Sequence, residues 1–317
     1  MSQPADDSQG SRKDSNNVYV DVAALSRLHQ EAHGFSFLPR QPLNSLLSGR
    51  KRSRLRGRGL DFEELRHYRP GDDIRSMDWR VTNRTGKPHV RVYTEERDRP
   101  VLLVIDQRLS MFFGSQQKMK SVSAAELGAV AGWRVLEQGD RVGAILFNDS
   151  RVIKIKPSRS RRNLLSILSQ LAGMNQKLAV SSKTPPNPAQ LQNAIAVAER
   201  MVGHDYLVVV ISDFDGWNQA SLAAVKRISQ HNDLIAGFIY DPLEQDISAA
   251  SDLVVSDGRY QLQLEPNKKD LGERFEATFQ TRVESLQLEL RKHGMPVIPL
   301  NTVSSVFSQL RQHLGQR

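Results

Sequence analysis

Two aspartates stand where apolar runs stop. Asp106 closes VLLVID, and Asp213 follows the apolar run of VVVISDFDGW. Runs this short and this rich in β-branched residues read as buried strands. In a parallel sheet both acids emerge at the carboxyl edge, where open α/β sheets hold their ligands. Two carboxylates converging on one pocket repel each other, so something positive has to lie there. Arg108, two residues past Asp106, offers a guanidinium that is always charged and can fork onto two carboxylates. Ser110 adds a hydroxyl in the same loop. Either Arg108 lies near Asp106 or Asp213, or it points out of the loop into water.

A second group of charged residues lies upstream, in GRGLDFEELRHYRPGDDIRSMDWR from Gly57 to Arg80. Arg66, Arg69, Asp72, Asp73, Arg75, Asp78, Trp79 and Arg80 crowd both signs of charge around one indole. One reading is a docking surface, with Trp79 as an aromatic anchor and the arginines making bidentate pairs. The other is an internal ion-pair network that locks this segment in place, and Trp79 leans towards that buried side.

Most other chemistry is excluded. The chain has 317 residues and no cysteine, which rules out disulfides, thiolate zinc sites and thiol catalysis. No phosphate-binding loop is present, and Gly57-Arg58-Gly59 lacks both a third glycine and a preceding strand. His29 and His33 have the i, i+4 spacing of a metal pair, with Glu31 between them, but no third ligand follows nearby. No serine sits in a nucleophile elbow. A non-enzymatic chain without a cofactor is expected.

The net charge of +9 is concentrated in RKRSRLRGR, Arg50 to Arg58. Such a run attracts nucleic acid or an anionic membrane surface, or it is a solvated loop paired with Asp61, Glu63 and Glu64. No aromatic residue interleaves it, which argues against stacking on single-stranded bases and against a nucleic-acid partner. No apolar run is long enough to span a membrane and the first residues have no apolar core, so the expected location is cytoplasmic.

Three regions position these groups. Residues 1–17 are polar and expected to be disordered. Residues 18–99 hold a first helix (21–33, with Val22, Leu25 and Leu28 on one face), the basic run, and the charged segment. Within that segment the spacing predicts a helix from Asp61 to His67, a turn at Pro70-Gly71, a helical turn opened by Asp72, and a half-exposed strand from His89. From residue 100 to 317 strands and helices alternate. Strands are expected at 101–106, 141–147, 151–156, around 207–213, 234–241, 251–255, 259–264 and PVIPL. Helices are expected at 118–138, 160–172, 189–202, 217–230, 268–293 and 304–315. The fold class is therefore α/β, a mainly parallel sheet flanked by helices, with a β-rich basic segment before it.

The loop after Asp106 resembles the metal-ion-dependent adhesion site of von Willebrand factor A domains. There an Asp-x-Ser-x-Ser loop, a threonine and a distal aspartate hold a hard divalent cation whose shell a partner carboxylate completes. The resemblance implies Asp106, Ser110 and Asp213 as ligands to Mg²⁺, which takes about six oxygens. Arg108 replaces the middle serine, and Ala189 stands at the threonine position, with Thr184 and Asn187 nearby. Like unit charges about 4 Å apart repel by roughly 4 kcal/mol at an effective dielectric near 20, so a guanidinium in the pocket disfavours a cation there. Arg108 is thus expected to stand in for the metal, in a site otherwise read as inherited but inactive.

The charged segment, together with RTGKPHVRVYTEERDRPVLLVID, KSVSAAELGAVAGWRVLEQGDRVGAILF, DPLEQDI and LNTVSSVFSQLRQHL, resembles the domain-of-unknown-function family 58 over residues 45–315. That family is bacterial and built around a von Willebrand A-like domain. The resemblance implies partners among MoxR-type AAA+ ATPases and other von Willebrand A proteins, in a chaperone-like or assembly system. The leading reading is a protein-binding adaptor. Nucleic-acid or anionic-surface binding through the basic run, and a divalent-metal adhesion module, are the alternatives.

Overall fold

The computed structural model describes residues 17–32, 60–95, 99–246, 253–256, 261–264 and 269–314. The basic run Arg50–Arg58, His33 and the first sixteen residues lie outside these. In chain order the elements are α1 (Val22–Arg27), β1 (Leu60–His67), α2 (Trp79–Thr85), β2 (His89–Glu95), β3 (Val101–Asp106), α3 (Lys120–Glu137), β4 (Val142–Phe147) and β5 (Val152–Ser158). Then come α4 (Arg161–Asn175), α5 (Ala189–Met201), β6 (Leu207–Ser212), α6 (Gln219–Ser229), β7 (Asp233–Tyr240) and α7 (Pro242–Gln245). The last are β8 (Leu253–Ser256), β9 (Gln261–Leu264), α8 (Lys269–Lys292), β10 (Val297–Asn301) and α9 (Val306–Leu314). Two units arise from them. One comprises residues 44–98, the other residues 1–43 with 99–317.

In the smaller unit the segment from Asp61 to His67, expected as a helix, is a strand. β1 pairs antiparallel with β2, from Leu60 opposite Glu95 to His67 opposite His89, with an irregularity between Phe62 and Glu64. A single seven-residue helix is marginal on its own because nucleation is costly, whereas β2 offers a ladder that satisfies both backbones. That partner is remote in sequence, so a local reading missed it. The turn at Pro70-Gly71 is present, with Gly71 at φ +102, a conformation that favours glycine. The helical turn expected to open at Asp72 is instead two pieces. Asp73 accepts a hydrogen bond from Arg75 N ahead of a short 3-10 turn, Ile74–Ser76. Asp78 caps α2, accepting from the backbone N–H groups of Arg80 and Val81.

The larger unit is built on a six-stranded sheet of order β10-β7-β6-β3-β4-β5. All its pairings are parallel except β4 with β5, which form an antiparallel hairpin. Side chains alternate across β3. Val101, Leu103 and Ile105 face α1, α3, α4 and α9, while Leu102 and Val104 face α5, α6 and α8. Helix α3 rides close on the sheet because of Gly128, where a Cβ would fall 2.4 Å from Ile105 Cδ1. The chain leaves β3 towards β4 on one side and returns to β6 on the other. The carboxyl ends of β3 and β6 therefore flank the point where strand order reverses, which in open α/β sheets leaves a crevice.

Helix α1 belongs to this larger unit and not with the charged segment beside which the sequence places it. The Trp133 indole N–H donates to the Leu25 carbonyl at 3.1 Å, and Val20 N donates to Asn175 Oδ1 at 2.8 Å. Leu25 is completely buried, a contribution of about 1.5–3 kcal/mol. The α-helix is shorter than expected and tightens into a 3-10 turn at Leu28–Glu31.

Candidate functional site

The carboxyl edge of the larger sheet carries a chain of five alternating charges: Asp106, Arg108, Asp213, Lys120 and Glu244. Asp106 ends β3 and is fully buried. Its carboxylate accepts from Arg108 N (2.9 Å to Oδ1), from Arg108 Nε (3.0 and 3.1 Å), from Arg108 Nη2 (2.7 Å to Oδ2) and from the Ser212 hydroxyl (2.6 Å). The guanidinium continues to Asp213 Oδ1 at 3.5 Å and to the Pro188 carbonyl at 3.2 Å. It also lies 5.6 Å from the centre of the Phe147 ring, within cation–π range. At 1% exposure, Arg108 points into the protein rather than into water.

Lys120, the first residue of α3, completes the chain. Its ammonium donates to Asp213 Oδ2 at 3.1 Å and to Glu244 Oε1 at 2.6 Å, and the residue is 3% exposed. The sequence reading did not single it out. Its signal is a cation at a helix N-terminus, against the macrodipole, where local rules favour an acid. A residue that breaks a local rule marks a tertiary demand.

The electrostatics follow from who faces whom. Burial opposes ionisation of Asp213, but Lys120 and Arg108 outweigh it and bring the carboxyl down to about 2. Burial raises the Asp106 carboxyl from its ordinary value, against the pull of Arg108 and Ser212. Both acids share the guanidinium, and only Asp213 also has the ammonium, which accounts for the opposite directions. Burial would lower the two cations, yet the carboxylates around them raise both. At neutral pH the Asp106–Arg108 pair is ionised, because a guanidinium does not release its proton and a neutral Asp106 would leave it buried and half-paired.

The arrangement does not fit a divalent cation. The guanidinium lies between the two carboxylates that would ligate it. Asn187, one of the residues considered for the missing oxygen, turns elsewhere, its side-chain amide donating to the Asp149 carbonyl and its backbone N–H to the Asp149 carboxylate. The Ser110 hydroxyl is buried without a hydrogen-bond partner. Among the described residues no group of three or more His, Cys, Asp or Glu could hold a metal ion. Likewise His29, half of the suspected histidine pair, packs edge-on against Trp133 and lies 3.4 Å from Glu137.

A third buried acid ties the same edge. Asp241, after β7, accepts from the Ser115 backbone and hydroxyl at 2.9 and 2.5 Å and from the Thr302 hydroxyl at 2.5 Å. Burial works to raise it, but these donors leave its carboxyl below the ordinary value. Asp241 opens DPLEQDI, and Thr302 lies in LNTVSS, so two quoted motifs meet here.

In the smaller unit the predicted residues divide. Arg66 forks onto Asp72 with both contacts at 2.8 Å, and Asp72 also accepts from Arg69 N. Asp78, 6% exposed, pairs with Arg91 at 2.8 Å through Nε and Nη2. These are the internal network. Arg69, Asp73, Arg75 and Arg80 are exposed instead. Trp79, which leaned towards burial, is 60% exposed, as is Ile74. As the first residue of α2, its direction follows from the cap at Asp78, which no spacing rule revealed.

A parallel sheet with its reversal at β3/β6, an Asp-x-x-x-Ser loop and a distal aspartate define a von Willebrand A-like domain. The chain belongs to the family described as protein of unknown function DUF58, whose model matches residues 64–285. Uncharacterized proteins of Mycobacterium bovis and Mycobacterium tuberculosis are each 28% identical over 292 residues, covering 88% of this chain and 86% of theirs. Among solved structures, the conserved hypothetical protein BatB of Bacteroides thetaiotaomicron is 16% identical, over 68% of this chain and 96% of that one, with a TM-score of 0.43. A von Willebrand factor type A protein of Catenulispora acidiphila is 13% identical over 47% and 35% of the two chains, with a TM-score of 0.29. No helix among the described residues is long and apolar enough to cross a membrane.

Proposed function

We propose that this protein is a non-enzymatic, cytoplasmic protein-binding adaptor whose partner is a MoxR-type AAA+ ATPase acting with other von Willebrand A proteins. The observation that carries the reading is the surface of the smaller unit: Trp79 and Ile74, each 60% exposed, stand among the exposed arginines Arg69, Arg75 and Arg80. Tryptophan and arginine dominate the energetics of protein interfaces, and a large indole left in water on a helix start is a ready anchor. Asp72 is engaged with Arg66 and Asp78 with Arg91, while Asp73 is exposed alongside the three arginines and offsets one of their charges. The surface therefore favours an acidic partner segment with an apolar side chain. At the sheet's carboxyl edge the acids are held by internal cations, which supports a binding role over acid–base chemistry there.

The test is binding of the purified full chain to the candidate ATPase trapped with a non-hydrolysable nucleotide. Trp79→Ala is expected to weaken the complex roughly tenfold or more while leaving the melting temperature unchanged. An undiminished complex, or ATP turnover by the isolated chain that a point mutation in it abolishes, would sink the proposal.

A further inference from the structure

We propose that the Arg108 guanidinium and the Lys120 ammonium are the resident cations of the switch-point site, supplying from the chain itself the two positive charges that a divalent metal would otherwise bring. The protein then holds its carboxyl-edge loops without a metal ion, and nothing it binds there is bridged through one.

The contacts alternate in sign without a gap. Arg108 links Asp106 to Asp213 at 2.7 and 3.5 Å, and Lys120 links Asp213 to Glu244 at 3.1 and 2.6 Å. Separate stretches of chain are fastened together in this way: the loop after β3, the start of α3, the loop before α5 through the Pro188 carbonyl, the loop after β6, and α7. A buried ion pair holds only when its geometry is good and the remaining polar atoms are satisfied, and Asp106 meets that condition with donors on both oxygens. Neither cation has a local reason for its place. Arg108 is wholly buried in a loop, and Lys120 opposes the dipole of the helix it begins, so the carboxylates are what they answer.

The backbone closes over the pair. Gly216, in the loop after β6, has φ +78, and a Cβ there would come 2.3 Å from the Pro188 oxygen. That contact presses the β6 loop onto the residue whose carbonyl receives Arg108 Nη1. With Asp106 at 0%, Arg108 at 1% and Lys120 at 3% exposure, an ion in solution has no open approach. It would also meet a fixed positive charge between its two acidic ligands. The Ser110 hydroxyl is buried in the loop without a hydrogen-bond partner, and it becomes a ligand only if the guanidinium is taken away.

Thermal melting of the full chain in EDTA and in millimolar MgCl₂ or MnCl₂ tests this. The native protein is expected to melt at the same temperature in all three. A clear rise with either ion that is lost in Asp106→Asn would overturn the proposal. Arg108→Ser is expected to melt roughly 10 °C lower in EDTA, to recover partly with Mn²⁺, and to take up Mn²⁺ as seen in the free-ion paramagnetic resonance signal. If Arg108→Ser melts like the native chain in EDTA and takes up no Mn²⁺, the proposal is wrong. Should that variant fail to fold in any buffer, Arg108→Lys decides, because it keeps the charge without the fork. It is expected to fold and remain indifferent to metal, and metal-dependent folding of it would refute the idea.

Discussion

The two charged clusters of this chain use the same side chains in opposite settings. In the larger unit Asp106, Arg108, Lys120 and Asp213 are sealed under loops, none more than 6% exposed. In the smaller unit Asp78 is as buried as Asp213, but Arg66 and Asp72 keep about a fifth of their side chains in water and Arg91, the partner of Asp78, almost half. Coulomb attraction grows as water is removed, and so does the penalty for leaving one partner alone. The buried cluster is therefore an all-or-nothing fastening. The exposed one tolerates loss and leaves neighbouring arginines free to meet another molecule.

Truncating one member of the buried cluster breaks the comparison most severely. Asp106→Ala leaves Arg108 buried with its main partner gone, and urea denaturation is expected to show a loss of about 3–5 kcal/mol. A loss under about 1 kcal/mol would mean that water enters the site and that the two clusters are alike.

Acid sharpens the contrast at the second level. Asp213 is held at about 2 against an ordinary value of 3.8, so the folded state binds this proton less readily than the unfolded one. Its stabilisation is complete above the unfolded value and is lost as pH falls through the folded one, a window from about 4 down to about 2 and on the order of 2 kcal/mol. The urea midpoint of the native chain should fall across that window, and Asp213→Asn should remove that share of the fall. An identical acid profile for native and variant would contradict the assignment.

The smallest effect belongs to the exposed cluster. Arg66→Ala removes a forked but partly solvated pair, worth about 0.5–1 kcal/mol, and added salt should mask part of the difference. A loss equal to that of Asp106→Ala would erase the distinction between the units.

Much of the larger unit was legible because its strands are continuous apolar runs and its helices carry periodic apolar faces. Asp106 and Asp213 were found by the same logic, as acids ending buried strands. Lys120 and Glu244 were not. They lie 93 and 31 residues from Asp213 along the chain, and no local pattern links them to it. In the smaller unit Asp61–His67 was misread because its pairing partner, β2, lies beyond an intervening turn and helix.

Hydrophobic periodicity in the sequence alone determined the α/β class, the order of strands and helices after Pro100, and the two acids at strand ends. The absence of cysteine determined equally that no disulfide or thiolate centre is available. Tertiary structure alone decided where charges point. Whether Arg108 meets water or Asp213, and which cation answers which acid, depend on loops brought together across the sheet, while the exposure of Trp79 follows from the Asp78 cap in the smaller unit. Burial patterns repeat along the chain and so leave a trace in it, whereas ion pairs between distant loops are chosen by desolvation and geometry that exist only once the sheet has formed.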